Sequence, residues 1–324
     1  MMSLRISQTA HYVPSKVITN DDLAQIMTTS DEWISSRTGI KQRHVVQNEQ
    51  TSDLALAVAQ LLLQKANLKP EQLDFIIIAT MSPDYLTPST AAIVQGKLHA
   101  GKALAFDINA ACSGFIYALA IADKLLAGSY QRGLVIGAEV LSKLIDWQER
   151  STAVLFGDGS GGVLVEKSSQ AEGIVAEDLA AFGELGAKLT AGYQPLCSPY
   201  SSDKIAKHKK YFEMDGRAVY DFATHEVPNS IRRVLTKANW KKDDVQWFLL
   251  HQANGRIISA IAKHLNIAEE KFLENIAKYG NTSAASVPIL LDEAVNSGII
   301  KRNQKLILSG FGGGLTAASI ALSF

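Results

Sequence analysis

The sequence predicts an α/β protein built from two related halves, and a long internal repeat is the first observation behind that prediction. The segment KANLKPEQLDF at 65–75 returns as KANWKKDDVQW at 237–247, an offset of 172 (237 − 65). Each copy ends a helical pattern, passes through a polar turn and enters a continuous apolar run. Such runs are typical of strands covered on both faces, so we predict strands at Phe75–Thr80 and Trp247–His251.

A second repeat extends the duplication. Residues 117–137 and 289–310 both read as a helix, a turn containing glycine, and an apolar strand. We therefore predict halves spanning 1–170 and 171–324, related by a pseudo-dyad. Because no Gly/Ser-rich or Pro-rich linker separates them, they should pack as one body, with a boundary near Lys167–Gly173. The polar, turn-rich segment Leu185–Lys210 is predicted to be a surface excursion.

Composition limits the classes of function. The 324 residues are 47% hydrophobic and carry 32 basic and 32 acidic side chains, so the chain lacks the basic surface typical of nucleic-acid binders. No apolar run reaches the ~18 residues of a membrane span, and the N-terminus does not read as a signal peptide. We expect a cytoplasmic protein, no nucleic-acid or membrane partner, and reduced thiols at Cys112 and Cys197.

Cys112 lies between an apolar strand, Leu104–Ile108, and a helix predicted from Phe115. We predict that the strand is buried. A helix N-terminus offers free N–H groups and a positive dipole end, both of which stabilise a thiolate. Small neighbouring residues leave room for a substrate. A buried structural cysteine is the alternative, and it remains the interpretation for Cys197, together with a plain surface position.

Two further side chains are predicted at the same junction of the halves. His251 follows the strand Trp247–Leu250, at the end where ligands bind in α/β sheets. Asn281 precedes the second-half helix that matches the helix after Cys112. The offset between Gly128 and Gly298 (298 − 128 = 170) places Asn281 one residue from the symmetry mate of the cysteine. The duplication therefore predicts one shared site.

Two glycine-rich segments complete the candidates. Gly310–Gly314 follows the predicted strand Lys305–Ser309 and allows backbone N–H groups to approach a ligand closely. A phosphate loop would need a terminal Lys-Ser/Thr pair, which is missing here. An oxyanion hole is the better interpretation. Gly157–Gly162 is a weaker signal and predicts a tight turn near the dyad.

These motifs together resemble β-ketoacyl-[acyl-carrier-protein] synthase III, nearly end to end and in the family's order. The matching segments are Ala110–Gly114, His251–Asn254, Gly280–Ala285, Gly310–Gly314, Asp31–Ile34 and Arg37–Ile40. The resemblance implies the thiolase-like fold, whose duplicated halves form α-β-α-β-α layers. It also implies an acyltransferase that condenses an acyl-CoA primer with malonyl-acyl carrier protein and thereby initiates fatty acid synthesis. No metal or other cofactor is implied, and a homodimer is expected.

The resemblance also assigns roles to the candidates. Cys112 would take the acyl group from acyl-CoA, while the N–H groups of Cys112 and Gly313 would hold the oxyanion. His251 and Asn281 would bind the malonyl thioester carbonyl and stabilise the enolate formed by decarboxylation. This is covalent catalysis divided into two easier steps.

Substrate contacts follow from the same resemblance. Trp33 and Arg150 would sandwich the CoA adenine, Arg37 would lie at the entrance, and Asn254 would contact the pantetheine arm. Phe311 is assigned to the substrate site. The segment Gln252, Ala253, Asn254, Gly255 and Arg256 would meet the acidic carrier protein, with Arg256 as its main charge. Each arginine could equally be a solvated surface residue.

Thr87 departs from family members that use short straight primers, which often have Phe at this position. The resemblance places this residue in the partner's acyl pocket. A smaller side chain there leaves a larger cavity, so we predict that a branched or longer primer is accepted.

Several other functions were weighed. A thiolase would need a second cysteine near the glycine-rich end, and elongating synthases use a histidine where this chain has Asn281. A related Cys-His-Asn enzyme making a polyketide-type or signalling product remains the alternative. An inactive carrier-binding protein is a further possibility that the intact Cys112, His251 and Asn281 argue against. A nucleotide-binding protein has only the glycine runs in its favour.

Overall fold

The computed structural model describes residues 3–169, 172–196, 198–200 and 210–324. The strands are β1 Ser3–Tyr12, β2 Val17–Thr19, β3 Gln42–His44, β4 Phe75–Ala79, β5 Leu104–Ile108, β6 Arg132–Glu139, β7 Gly159–Ser168, β8 Gly173–Ala181, β9 Leu189–Thr190, β10 Glu213–Met214, β11 Trp247–Leu250, β12 Lys305–Gly312 and β13 Thr316–Ser323. The helices are α1 Asn20–Ala24, α2 Asp31–Thr38, α3 Thr51–Ala66, α4 Thr90–Leu98, α5 Gly114–Ala127, α6 Arg150–Ala153, α7 Gly216–Ala238, α8 Gly255–Leu265, α9 Ile276–Tyr279 and α10 Ser286–Asn296. Cys197 lies outside the described residues.

Two mixed sheets repeat the same topology. The first has the order β1-β7-β6-β4-β5, and the second has β8-β13-β12-β11. In each sheet two equivalent neighbouring strands run parallel, β4 with β6 and β11 with β12. The strands on the other side of each pair run antiparallel. The predicted duplication is therefore present in the strand order and direction of both sheets.

Five layers follow from the faces of these strands. On β4, Ile76 packs under α3 and α4, whereas Ile77 faces a central layer formed by α5 and α10. On β11, Leu249 faces the same central layer and Phe248 packs under α7 and α8. Apolar residues on both faces of a strand explain the continuous apolar runs. The order of layers is α-β-α-β-α, as predicted.

The repeated KAN segment has a local structural reason. Asn67 ends α3 and Asn239 ends α7, both in the left-handed region with φ of 51° and 54°. Asparagine tolerates this conformation better than most residues with a side chain. The two asparagines are 172 positions apart (239 − 67), which confirms the offset of the long repeat.

The predicted symmetry mate of Cys112 was wrong by two residues. Ala111 and Ser283 are equivalent, since both begin a 3-10 turn, have φ of 45° and 47°, and lie 172 positions apart. Cys112 therefore matches Ala284, and Asn281 matches Asn109. The glycines used for the shorter offset are not equivalent, because φ is −82° at Gly128 and +74° at Gly298. The turns after the two helices differ.

Two further predictions need correction. Strand β5 is not fully buried, because it pairs with β4 at an edge of the sheet and leaves Leu104 40% exposed. The segment Leu185–Lys210 is only partly a surface excursion, since its strand β9 pairs with β10 and faces the central cavity. Within the described ranges, no helix has the length and apolar character needed to cross a bilayer.

Candidate active site

A cavity of about 510 Å³ lies where the two halves meet, and it brings the three principal candidates together. Cys112, His251 and Asn281 all line it. Cys112 and Asn281 precede α5 and α10 of the central layer, and His251 follows β11 of the second sheet. The duplication predicted one shared site, and these three residues do lie together. The residue predicted as the symmetry mate of Cys112 was nevertheless wrong by two positions.

Cys112 sits in the 3-10 turn Ala111–Ser113, directly before α5. Its side chain is 7% exposed, and burial raises the pKa of the thiol to about 12, with a smaller opposing effect from Ser283. The Cys112 thiol is therefore neutral at rest. The helix N-terminus favours the thiolate, but desolvation is the larger effect, so the proton must be removed during reaction.

The glycine-rich segment Gly310–Gly314 approaches Cys112 closely because it is mostly free of side chains. A Cβ placed on Gly312 would lie 2.8 Å from Cys112 Cβ and 3.0 Å from its Sγ. A Cβ on Gly310 would lie 2.8 Å from Ser113 Cα. Thr316 fixes this arrangement, since its Oγ1 lies 3.3 Å from Ala110 O and 3.2 Å from Gly313 O.

His251 follows β11 and is 1% exposed. Its Nδ1 lies 2.7 Å from Ser286 Oγ at the start of α10, and its ring meets Phe311 edge to face at 5.2 Å between centroids. Burial lowers the pKa of His251 to about 3. The imidazole is therefore neutral at physiological pH, with Nε2 on the side opposite Ser286.

Asn281 is held by hydrogen bonds of its backbone and of its side-chain oxygen Oδ1. Its N–H donates to Leu155 O at 2.9 Å, and its C=O accepts from Gly157 N at 3.0 Å. Its Oδ1 accepts from Ser283 N at 2.8 Å. Because Oδ1 is engaged, the side chain can offer its Nδ2 donor to a ligand in the cavity.

One wall of the cavity is apolar. It is formed by Met81, Leu155, Phe156, Leu189 and Phe212. Phe156 and Phe212 stack with centroids 4.3 Å apart. This wall suits an acyl chain, because burial of methylene groups is favourable by about 0.8 kcal/mol each.

The predicted adenine slot is closed. Arg150 Cζ lies 4.4 Å from the Trp33 ring centroid, and Arg37 Cζ lies 4.6 Å from the same centroid. A base stacked between two planes needs roughly 7 Å, twice the ~3.5 Å contact distance. Arg150 also donates to Thr28 O at 3.2 Å. Any planar group stacking on this face of Trp33 must therefore displace Arg150.

The predicted carrier-binding segment divides into buried and exposed residues. Gln252 is fully buried, donates to Leu250 O at 2.8 Å and accepts from Asn275 N at 3.0 Å. Its assignment as a carrier contact was therefore wrong. Asn254 caps α8 and donates to Arg37 O at 3.1 Å.

Arg256 is exposed and donates to Ser36 O from Nε at 3.1 Å and from Nη2 at 2.6 Å. Ala253 lines the cavity, as do Asn254 and Phe311, whereas Gly255 begins α8. Thr87 is exposed and lies outside the lining of its own chain's cavity.

Several residues at the site were missed by sequence reasoning. Ser286, the partner of His251, follows the recognised motif by one position and read as an ordinary helix start. Glu139 ends a buried strand beside the cavity, and an acid at a strand end was a usable signal. Leu189 comes from the segment predicted to be a surface excursion and Phe212 lies just beyond its end, so no periodicity pointed to them.

In the part of the chain that the structure describes, no group of three or more His, Cys, Asp or Glu side chains could hold a metal ion.

Comparisons with known proteins agree with this geometry. The family model "3-Oxoacyl-[acyl-carrier-protein (ACP)] synthase III" matches residues 106–183, and the model of its C-terminal part matches residues 235–324. The chain is 52% identical over 319 residues to β-ketoacyl-[acyl-carrier-protein] synthase III of Lactococcus lactis subsp. lactis, covering 98% of each chain. It is 55% identical over 323 residues to that of Streptococcus pyogenes serotype M5, covering 99% of each.

A solved structure shows the same fold over the whole chain. The 3-oxoacyl-[acyl-carrier-protein] synthase III of Aquifex aeolicus VF5 superposes with a TM-score of 0.92 at 44% identity, covering 100% of both chains.

The fold and the cysteine-containing site define a condensing acyltransferase of the thiolase-like class. Within that class, the chain belongs to the β-ketoacyl-[acyl-carrier-protein] synthase III family. It catalyses the condensation that initiates fatty acid synthesis. The comparisons do not favour the alternative of a polyketide-type or signalling product.

Proposed function

We propose that Cys112 is the nucleophile that accepts the primer acyl group from acyl-CoA. The observation that carries this proposal is the position of its Sγ in the cavity, against the glycine-rich backbone. The sulfur attacks the thioester carbon, and the N–H groups of Cys112 and Gly313 hold the resulting oxyanion. The carbon–sulfur bond to CoA then breaks, the CoA sulfur takes up a proton in exchange for the one lost by the thiol, and an acyl-Cys112 thioester remains.

His251 and Asn281 serve the second half-reaction. With malonyl-acyl carrier protein in the cavity, His251 Nε2 and Asn281 Nδ2 donate to the malonyl thioester carbonyl. Loss of CO2 leaves an enolate whose negative charge these two donors stabilise. The enolate carbon attacks the acyl-Cys112 carbonyl, the Cys112 sulfur leaves, and the β-ketoacyl-carrier protein is released. A neutral His251 suits this role, because a donor is needed and a proton is not transferred to the carbonyl.

The entrance residues are proposed to bind CoA and the carrier protein. Trp33 provides a stacking surface for adenine once Arg150 moves aside, with Arg37 at the same entrance. Asn254 lies deeper and reaches the pantetheine arm. Arg256, exposed beside α8, offers a positive charge to an acidic carrier protein, with Ala253 and Gly255 forming the backbone of that surface.

A homodimer is proposed on two features of the same edge. Strand β5 leaves one side unpaired by any strand among the described residues, and Leu104 is 40% exposed. In the loop between β4 and α4, Tyr85 and Leu86 are 63% and 80% exposed. An exposed strand edge and apolar side chains favour pairing with a second copy. Thr87 would then reach the partner's acyl pocket and leave room for a branched or longer primer.

All groups required for both half-reactions are supplied by this chain, so we propose that no cofactor takes part. The cytoplasmic location and the division into halves at 170/171 stay predictions.

Separate assays of the half-reactions test the assignment. His251→Ala and Asn281→Ala should retain acylation of Cys112 by acyl-CoA but lose most decarboxylation of malonyl-carrier protein, by about 100-fold each. Asn229→Ala on α7, outside the cavity lining, is the matched control for Asn281. Decarboxylation at the wild-type rate in both variants would remove these residues from the second half-reaction.

A further inference from the structure

Arg43 is a fully buried cation that the proposed chemistry does not use. It is the middle residue of β3 and is 0% exposed. Burial lowers the pKa of Arg43 to about 10, so the guanidinium still carries its charge at neutral pH. Within the described residues its hydrogen bonds all go to uncharged oxygens, and its Nε has no partner there. Taking a charge out of water on these terms costs free energy, so the position of Arg43 requires a reason.

The hydrogen bonds of the guanidinium join two distant parts of the chain. Nη1 donates to Asn20 Oδ1 at 2.8 Å and to Ile18 O at 3.3 Å, and Nη2 donates to Val154 O at 2.9 Å. Ile18 is the strand partner of Arg43 between β2 and β3, so that contact is local. Val154 directly follows α6 and lies 111 positions further along the chain. The guanidinium therefore ties the pair β2–β3 to the segment that follows α6.

The segment that follows α6 also holds Asn281. Leu155 O accepts from Asn281 N at 2.9 Å, and Gly157 N donates to Asn281 O at 3.0 Å. Both backbone groups of Asn281 are therefore bonded within three residues of Val154, whose carbonyl accepts from Arg43.

The stem of Arg43 packs against the backbone on both sides of this contact. A Cβ placed on Gly157 would lie 3.0 Å from Arg43 Cβ, and a Cβ placed on Gly280 would lie 3.5 Å from it. Gly280 directly precedes Asn281 and has a φ of 65°. The arginine thus contacts the backbone before Asn281 as well as the backbone that bonds it, which leaves Asn281 little room to shift.

The other end of the network reaches the residues proposed to bind CoA. Asn20 is 1% exposed, and its Nδ2 donates to Asp31 Oδ1 at 2.8 Å. Asp31 begins α2, which carries Trp33, and Arg150 begins α6. The network therefore joins both helices of the entrance to the backbone that holds Asn281.

We propose that Arg43 is a positioning residue that fixes Asn281 for the condensation step. This rests on the proposed role of Asn281 as a donor to the malonyl thioester carbonyl. A donor that stabilises developing charge is effective when it is held in place before the reaction. The planar guanidinium supplies several directional hydrogen bonds at once, which a lysine cannot reproduce. Arg43 lies outside the cavity lining and so acts only through Asn281.

The rates of the two half-reactions in Arg43→Lys test this role. Lysine keeps the charge but cannot serve the acceptors of Asn20 and Val154 in the same geometry. Decarboxylation of malonyl-carrier protein should fall about 10-fold, because even a small displacement of a positioned group slows a reaction. The maximal rate of Cys112 acylation should stay at the wild-type level. Arg302→Lys is the matched control and should retain both rates, since Arg302 also donates to two backbone carbonyls but lies outside the cavity lining.

A double-mutant cycle separates positioning from a general structural role. Because Arg43 acts through Asn281, Arg43→Lys should cause no further loss of decarboxylation in Asn281→Ala protein. A further loss of about 10-fold in the double variant would overturn the proposal. Equal losses in acylation and decarboxylation in Arg43→Lys alone would overturn it as well.

Asn20→Ala gives a second variant that decides the matter if Arg43→Lys does not fold. It leaves the arginine in place and removes one of its acceptors, so decarboxylation should fall about 5-fold, again only while Asn281 is present. A wild-type rate of decarboxylation in Asn20→Ala would overturn the positioning role of Arg43 and leave the role of Asn281 intact. A wild-type rate in Asn281→Ala would show instead that the proposed function of Asn281 fails, and the positioning role would fall with it.

Discussion

Ser286 Oγ lies 2.7 Å from His251 Nδ1 and 2.8 Å from Ser283 O, and the hydroxyl has only one proton to donate. When that proton goes to Nδ1, the imidazole carries its own proton on Nε2. This is the form that the proposed second half-reaction requires, because in that proposal Nε2 donates to the malonyl carbonyl. When the proton goes to Ser283 O, Nδ1–H donates to Ser286 and Nε2 is bare. Ser286 therefore controls both the orientation and the tautomer of His251.

Ser286→Ala should slow decarboxylation of malonyl-carrier protein by about 5- to 10-fold, the effect of losing one neutral hydrogen bond of ~1 kcal/mol. Acylation of Cys112 should change less, because we propose that His251 acts in the second step. Ser297→Ala, near the other end of α10, is the matched control, since that hydroxyl donates only to Ala294 O. Equal losses in both half-reactions would contradict a role through His251.

Gly312→Ala should slow the acylation of Cys112 strongly. Its new Cβ would lie 3.0 Å from Sγ, so the nucleophile or the glycine-rich segment must shift, and a displacement of ~1 Å can lower a rate about 100-fold. Gly96→Ala on α4 is the control, because a Cβ there meets nothing within 4 Å. Intact-protein mass after mixing with acyl-CoA measures the effect, and a normal acylation rate in Gly312→Ala would contradict the close approach.

Trp33→Ala should raise KM for acyl-CoA by about 10-fold or more, since stacking of a base on an aromatic ring is worth ~1–3 kcal/mol. An acyl thioester of N-acetylcysteamine, which has no adenine, should be used at nearly the wild-type rate. Trp147→Ala provides a matched loss of a half-buried tryptophan outside the cavity lining. If Trp33→Ala impairs the reactions with acyl-CoA and with the N-acetylcysteamine thioester equally, Trp33 supports the fold and does not bind adenine.

The pH dependence of stability should reveal the buried carboxyl of Glu139. Its pKa is raised from 4.5 to about 7, so its stabilising contribution is full below pH 4.5 and is lost as pH rises through 7. His251 acts oppositely: with a pKa lowered from 6.5 to about 3, it stabilises above pH 6.5 and loses this contribution as pH falls.

Comparison of wild type with Glu139→Gln isolates the contribution of Glu139 to the pH dependence of stability. From about pH 5 to pH 8, the free energy of unfolding of wild type should fall relative to the variant by on the order of 3 kcal/mol. Urea unfolding at the two pH values measures it. Parallel pH dependence in the two proteins would show that Glu139 is ionised throughout this range.

The primer range should depend on Thr87. If this side chain reaches the partner's pocket, Thr87→Phe should reduce acylation by branched and longer acyl-CoA while retaining acetyl-CoA. Thr236→Phe on α7, which is exposed and far along the chain, controls for the added ring. Strict preference of the wild type for acetyl-CoA would contradict the prediction of a wider pocket.

Much of the fold was predictable because its causes are local. The two apolar runs, the asparagines that end α3 and α7, and the glycines beside Cys112 each act through their own backbone or immediate burial. The KAN repeat carried the correct offset of 172 between the halves, whereas Gly128 and Gly298 gave 170, because the turns after α5 and α10 differ in a way that composition does not reveal.

The site was predictable where a residue follows a strand or begins a helix, as with Cys112 and His251. Gln252 was wrongly assigned as a carrier-protein contact, because its position in the His251–Asn254 motif does not reveal whether its side chain is buried. Leu189 and Phe212 reach the cavity through tertiary packing of an irregular segment, and the edge position of β5 depends on strand order. These depend on contacts between distant parts of the chain, which the pattern of one sequence does not contain.

The most direct test of the central claim is the intact-protein mass after mixing the enzyme with a panel of acyl-CoA thioesters and then adding malonyl-carrier protein. We predict a mass gain equal to one acyl group, absent in Cys112→Ala and discharged by the malonyl partner. A mass gain that persists in Cys112→Ala, or no gain with any acyl-CoA, would contradict the assignment of Cys112 as the acyl-accepting nucleophile.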